Sequence, residues 1–218
     1  MANPRASRPI LFSSPMVKAI LDGRKTQTRR AIKRQPLEWT NPEGLKVYGW
    51  ASDPYLPTME EFIKRCPYGQ PGDRLYAKEN AKLRAMGGDK ADGTWTWFDL
   101  AYQANGAVIE YQHEAVKGLK NPYHTPDKTV PSIHMPRWAS RITLELTDIR
   151  VQRLQDISEE DAMAEGVETF MGDCLVRDQR LFKAQLQFAA LWDTINLKRG
   201  HGWDTNPWCW ALTFRRGE

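Results

Sequence analysis

The sequence predicts a mixed α+β chain, a small, curled β-sheet or barrel with helices at its edges. Three observations carry this. In "ITLELT" (142–147), apolar Ile142, Leu144 and Leu146 alternate with Thr143, Glu145 and Thr147, the period of a half-buried strand. The elements read in order as strand, helix, basic turn and strand, then further strands, helices and a closing strand. That order fits a sheet with edge helices better than alternating βαβ units. Two long stretches, 35–71 and 84–135, are loop-rich and punctuated by proline and aromatics.

"PILFSS" (9–14) predicts a short strand. "SPMVKAILDG" then carries helix signals: Ser14 as N-cap, Pro15 at the first helical position and Gly23 just past the end. Met16, Val17, Ile20 and Leu21 give this helix one apolar face. From Gln27, "QTRRAI" reads as a strand with Thr28, Arg30 and Ile32 on one face and Gln27 and Arg29 on the other. A turn after Gly23 is expected to bring Lys25 to the side of Thr28.

Pro36, Pro42, Pro54, Pro57 and Pro67 make 35–71 an irregular excursion with a short helix at 58–65. "GQPGDRLYAKENAKL" (69–83) gives a turn and a strand, Leu75 and Ala77 alternating with Tyr76 and Lys78, and Glu79 at the far end. "GTWTWFDLAYQA" and "AVIEYQ" predict a hairpin with Trp95 and Trp97 on one face and Tyr102 nearby. "ISEEDAMAEG" carries a capping box, Ser158 with Asp161, and a short helix that stops at Gly166. Residues 180–195 predict an amphipathic helix through Leu181, Phe182, Leu186, Phe188, Ala189, Leu191, Trp192 and Ile195. "NPWCWALTFRR" closes the chain as a strand. Trp138, Trp192, Trp208 and Trp210 fall in periodic segments and are expected in the core.

The 218 residues suggest one domain, 1–218, with large insertions. A net charge of +4 and a pI near 8.9 fit an anionic partner without requiring one. Cys66, Cys174 and Cys209 are scattered, against a disulfide framework or a zinc site, and the four histidines are dispersed. No metal and no cofactor is expected. No signal peptide or membrane span is legible, so the protein is expected in the cytoplasm.

Residues 23–34 read "GRKTQTRRAIKR", with six Lys or Arg among twelve residues and no acid. Gly23, Lys25, Thr28 and Arg30 fit G-x-K-x-x-T-x-R behind a short helix, which resembles the signature of the ASCH superfamily, relatives of the PUA RNA-binding domains. "GDRLYAKEN" resembles the family's second block, ending at Glu79. "MPRWASRITLELTDIRVQRL", "ISEEDAMAEGV" and "NPWCWALTF" resemble phage and prophage members. The insertions at about 35–71 and 84–133 lie outside the resemblance.

The resemblance implies a PUA-like β-barrel with a basic cleft lined by the signature. It also implies RNA association, hydrolysis of the acetyl amide of N4-acetylcytidine or, in one branch, ribonuclease activity. The amidohydrolase set of Lys, Thr and Glu falls on Lys25, Thr28 and Glu79, with Gly23, Arg24, Arg29 and Arg30 as substrate contacts. Chemically, a threonine hydroxyl needs a base, and a lysine can serve when burial and neighbouring arginines lower its pKa. Lys25 would activate Thr28, or water instead, with Glu79 moving the proton. Three functions stand beside one another: an amidohydrolase acting on a modified nucleoside, an RNA-binding module or ribonuclease, and a phage factor using the insertions to bind a protein.

Overall fold

The computed structural model describes residues 7–44, 46–49, 58–89, 95–112, 115, 117, 122–123, 127–167 and 183–217. In chain order the elements are β1 (Ser7–Leu11), α1 (Ser14–Leu21), β2 (Gln27–Ala31), β3 (Leu37–Thr40), β4 (Lys46–Gly49), α2 (Met59–Ile63), β5 (Arg74–Lys78), β6 (Ala81–Asp89) and β7 (Trp95–Tyr102). There follow β8 (Val108–Gln112), β9 (Thr129–Val130), β10 (Thr143–Arg153), α3 (Glu159–Ala164), α4 (Lys183–Asn196) and β11 (Trp208–Arg216), with short 3-10 turns between them. The chain is mixed α+β, as the sequence predicts. Among the described residues no sheet closes on itself.

Two compact units emerge. The first is built from Gly23–Asp73 and Glu145–Arg215, the second from Ser7–Asp22 and Arg74–Leu144 with the residues from Arg216. In the first, β11 lies between β10 and β2, and it pairs antiparallel with β2 so that Leu212 faces Thr28, Ala211 faces Arg29 and Trp210 faces Arg30. Helices α3 and α4 bury Ala162, Ala184, Phe188 and Trp192 with Leu154, Ile157 and Cys209 in one apolar cluster. Each large side chain so buried stabilises the unit by about 1.5–3 kcal/mol.

The second unit pairs β1 with β5 in parallel and carries a four-stranded antiparallel sheet in the order β8, β7, β6, β9. Its core holds Leu83, Phe98, Leu100, Tyr102 and Met135, with Trp138 and Tyr111 packed against it.

Several local expectations change. The N-cap of α1 is Ser13, one residue earlier than expected, and Pro15 keeps its place in the first turn. Gly23, at φ 76°, takes the left-handed conformation that ends the helix. The stretch 35–71 is less irregular than its prolines suggest, because β3 and β4 form a hairpin and Thr58 and Glu61 complete a capping box for α2. Within 84–135 the described residues include β7, β8, β9 and most of β6, and the expected hairpin is β7–β8. Trp97 packs tightly here: a Cβ at Gly87 would sit 2.6 Å from its ring. Tyr102 is fully buried, so it is a core residue and not a partner for stacking. In α4, Leu186 is 45% exposed although the pattern placed it inside, while Leu181 and Phe182 lie outside the described residues. Trp192, Trp208 and Trp210 are buried, as expected.

Candidate functional site: a buried lysine in a carboxylate–guanidinium network

The basic turn after Gly23 threads against the end of α3. Thr26 N–H donates to the Ala164 carbonyl at 2.9 Å, Lys25 Nζ to the Glu165 carbonyl at 2.8 Å and an Arg24 guanidinium N–H to the Gly166 carbonyl at 3.2 Å. Three consecutive residues thus satisfy three consecutive carbonyls that the helix leaves without intrahelical partners. Two of the three are cations at the negative end of the helix, which suits its dipole.

Lys25 is buried, and its Nζ lies 2.7 Å from Glu165 Oε2. Burial pushes the Lys25 pKa below its ordinary value. The charge and hydrogen bond of Glu165 pull it back up, and Arg30 and Arg29 push it down again. The other oxygen of Glu165, Oε1, accepts from Arg29 at 3.2 Å. That same guanidinium donates to Gln27 Oε1 at 3.1 Å and to Asp161 Oδ2 at 2.7 Å. Gln27 Nε2 and Arg150 also donate to Asp161, at 2.8 and 2.9 Å. The Gln27–Arg29 bond fits the shared strand face read from the sequence.

Asp161 resolves the capping signal. Ser158 accepts from the Asp161 N–H, as the capping box requires, but the Asp161 carboxylate turns to the three donors on Gln27, Arg29 and Arg150. Partial burial raises its pKa, and the Gln27 hydrogen bond with the Arg29 and Arg150 charges outweighs this, so it sits below the usual carboxylate value.

Thr28 is buried on β2, and Arg30 stands opposite Trp210. Burial weakens the hold of Arg30 on its proton. The Tyr68 phenol and Glu165 act the other way, and the like charge of Arg199 reinforces burial. The guanidinium nevertheless stays charged at any working pH.

Glu79 stands in the second unit. Its buried carboxylate is clasped by Arg141, Nε to Oε1 at 2.8 Å and a terminal N–H to Oε2 at 2.9 Å. Arg141 also donates to Asn105 at 3.0 Å and lies 4.3 Å over the Tyr102 ring. The Tyr102 hydroxyl donates to the Ala139 carbonyl and receives the Tyr111 hydroxyl proton at 2.6 Å.

Of the residues singled out by the sequence, the structure brings Arg24, Lys25 and Arg29 to α3 and its end, buries Thr28 on the other face of β2 from Arg29, and gives Glu79 an arginine of its own. Glu165 and Asp161 were missed. The available signal was two carboxylates four residues apart, on one face of a short helix, in a block already noted.

Cys66 and Cys209 are free and buried, and burial pushes the Cys209 thiol up to about 12; Cys174 lies outside the described residues. Among the described residues no group of His, Cys, Asp and Glu is placed to hold a metal ion. No helix there is long and apolar enough to cross a membrane. No protein-family model, no curated protein and no solved structure matches this chain.

Proposed function

We propose that the chain is an ASCH-type, PUA-like protein that binds a nucleobase or nucleotide at Lys25 and Thr28 and hydrolyses an amide on it, as in N4-acetylcytidine. The observation that carries this reading is Lys25, buried with its Nζ 2.7 Å from the Glu165 carboxylate and pushed below its ordinary pKa. A buried lysine with a perturbed pKa and a specific charge partner is a candidate for a functional site.

Burial disfavours the Lys25 ammonium, which brings the neutral amine within reach as the form that acts. As an amine, Lys25 takes the proton of the Thr28 hydroxyl or of a water as that oxygen attacks the amide carbon. The proton then passes to the departing base nitrogen, with Glu165 as the group that exchanges it with Lys25. Water completes the reaction, releasing the free base amine and the carboxylic acid. The relay is assigned to Glu165 because it shares a hydrogen bond with Lys25, whereas both Glu79 oxygens are engaged by Arg141.

RNA binding through this basic stretch is the weaker reading. Lys25 and Arg29 are matched by Glu165 and Asp161, so two of its cations are already neutralised within the fold.

Chromatographic turnover of N4-acetylcytidine and a panel of other acylated nucleosides tests the reading. Wild type is expected to release the free nucleoside, and folded Lys25→Ala and Glu165→Gln variants are not. A folded wild type that leaves the whole panel intact would overturn it.

A further inference from the structure

The second unit carries a surface of different character from the Lys25 network. In the parallel pairing of β1 with β5, Ser7 lies beside Arg74, Pro9 beside Tyr76 and Leu11 beside Lys78. Ile10, Leu75 and Ala77 are buried, while Pro9, Leu11 and Arg74 are exposed and Tyr76 and Lys78 half-buried. Side chains alternate across a strand, so one outward face presents Arg74, Tyr76 and Lys78 in a row with apolar Pro9 and Leu11 alongside.

The segment before β10 completes this face. Arg137 is exposed, and its guanidinium carbon lies 4.8 Å from the centre of the Tyr76 ring. The Ile133 carbonyl accepts from Lys78 Nζ at 2.6 Å, and the Ile133 side chain is 63% exposed. Among the described residues no carboxylate pairs with Arg74, Lys78 or Arg137. Their charge is therefore available to a partner, unlike that of Lys25 and Arg29.

We propose that this face of β1 and β5 binds a single-stranded nucleic acid. Arg74 and Lys78 take phosphates on either side of Tyr76, and one unpaired base stacks on the outer plane of Arg137, with the Tyr76 ring backing it. Cations in a row attract any polyanion, but a planar guanidinium supported by an aromatic ring adds a stacking platform that, among polyanions, an unpaired base uses. A duplex keeps its bases stacked internally, and an anionic bilayer needs charge but no plane. The contacts are to phosphate and base, so ribose and deoxyribose strands fit alike.

The experiment is fluorescence anisotropy of the full chain with a labelled oligouridine and a labelled oligothymidine across a salt series, beside vesicles of mixed phosphatidylcholine and phosphatidylserine. Each phosphate contact to a single strand contributes a slope of about −0.7 in log K against log salt. Arg74→Gln with Lys78→Gln is expected to flatten the slope by about 1.4, two contacts at that increment. Arg137→Lys keeps the charge and loses the plane, so it is expected to weaken binding about tenfold with the slope unchanged. These substitutions are at the surface, and thermal melts confirm that the variants fold. The proposal is overturned by wild-type binding no tighter than that of the Arg74→Gln, Lys78→Gln double variant, by Arg137→Lys binding as wild type does, or by vesicles bound in preference to both strands.

Discussion

Glu165 holds Lys25 twice, through its side-chain Oε2 at 2.7 Å and through its own backbone carbonyl at 2.8 Å. The double hold ties the basic turn to the end of α3. It also sets two ionisable groups against one another in the interior of the unit. Burying both groups costs several kcal/mol per ion, which their attraction only partly offsets, so the pair is poor value as a stabilising device. An arrangement this costly is better explained by chemistry than by stability.

That asymmetry predicts a thermodynamic signature. Glu165→Gln leaves the Lys25 ammonium buried beside a neutral amide and is expected to cost about 3–5 kcal/mol. Lys25→Met alone strands Glu165 and Arg29 less severely, because the guanidinium still neutralises the carboxylate. The double variant Lys25→Met with Glu165→Gln is expected to be more stable than Glu165→Gln alone. Urea unfolding of all four proteins closes the cycle, and simple additivity would show that the two groups do not depend on one another.

A second expectation concerns pH. The Lys25 pKa is lowered, so the folded protein binds this proton less tightly than the unfolded chain, whose value is near 10.5. Between the folded and unfolded values the unfolded chain carries more protons, and stability from this group rises with pH. Activity should follow the same direction, since the amine is the working form: kcat/KM is expected to climb as pH rises through the lowered value. A pH–rate profile with no ascending limb at any pH where the protein stays folded would remove Lys25 from the role of base.

Asp161 titrates at the other end of the scale. Its folded pKa lies below the ordinary 3.8, so its contribution is fully present above that value and is lost as pH falls through the folded one. Asp161→Asn is expected to cost about 1–3 kcal/mol at neutral pH, through the weakened bonds to Arg29 and Arg150. It is also expected to reduce the dependence of stability on pH below 4. Denaturation midpoints at pH 3, 4, 5 and 7 read both effects, and an unchanged acid slope would mean that Asp161 does not govern it.

Much of this arrangement is legible in the sequence. The alternation of Ile142, Leu144 and Leu146 is β10, and the spacing in "QTRRAI" correctly put Gln27 and Arg29 on one face. What sequence spacing could not supply was the partner. Glu165 is 140 positions from Lys25, and only the packing of α3 against the turn after α1 brings the two together. The capping reading misled in a useful way. Ser158 and Asp161 do mark the helix start, yet local pattern could not show that the Asp161 carboxylate would leave the cap for Arg29, because the alternative donors come from distant strands. The extension of β6 through 84–89 was not legible for a related reason: β6 and β7 hold Gly87 and Trp97 face to face, and a strand glycine reads as a breaker until the ring filling its place is seen.

Gly87 supplies the next prediction. A methyl group there would meet Trp97 ring atoms at 2.6 and 2.9 Å, distances that force the indole to move. Gly87→Ala is expected to destabilise the protein by about 1–3 kcal/mol, the usual range for overpacking. Trp97→Leu in the same chain makes room and should recover part of the loss. Thermal melts of the single and double variants decide the matter, and an undiminished melting temperature for Gly87→Ala would show that the ring is free to shift.

Glu79 and Arg141 separate a structural ion pair from a catalytic one. Both Glu79 oxygens are bonded to Arg141, and the pair lies beside the buried Tyr102 ring in the core of the second unit. Arg141→Met strands a buried carboxylate and is expected to cost about 3–5 kcal/mol. Arg141→Lys keeps the charge but not the two-pronged geometry, and should fall between that variant and wild type. Glu79→Gln tests the chemical role that the sequence resemblance assigned to this residue. If Glu165 is the proton partner of Lys25, Glu79→Gln should lower stability yet retain turnover per folded molecule within a few-fold, while Glu165→Gln abolishes it. Active-site titration beside circular dichroism normalises the comparison. Loss of turnover in a fully folded Glu79→Gln protein would return the proton to Glu79 and remove it from Glu165.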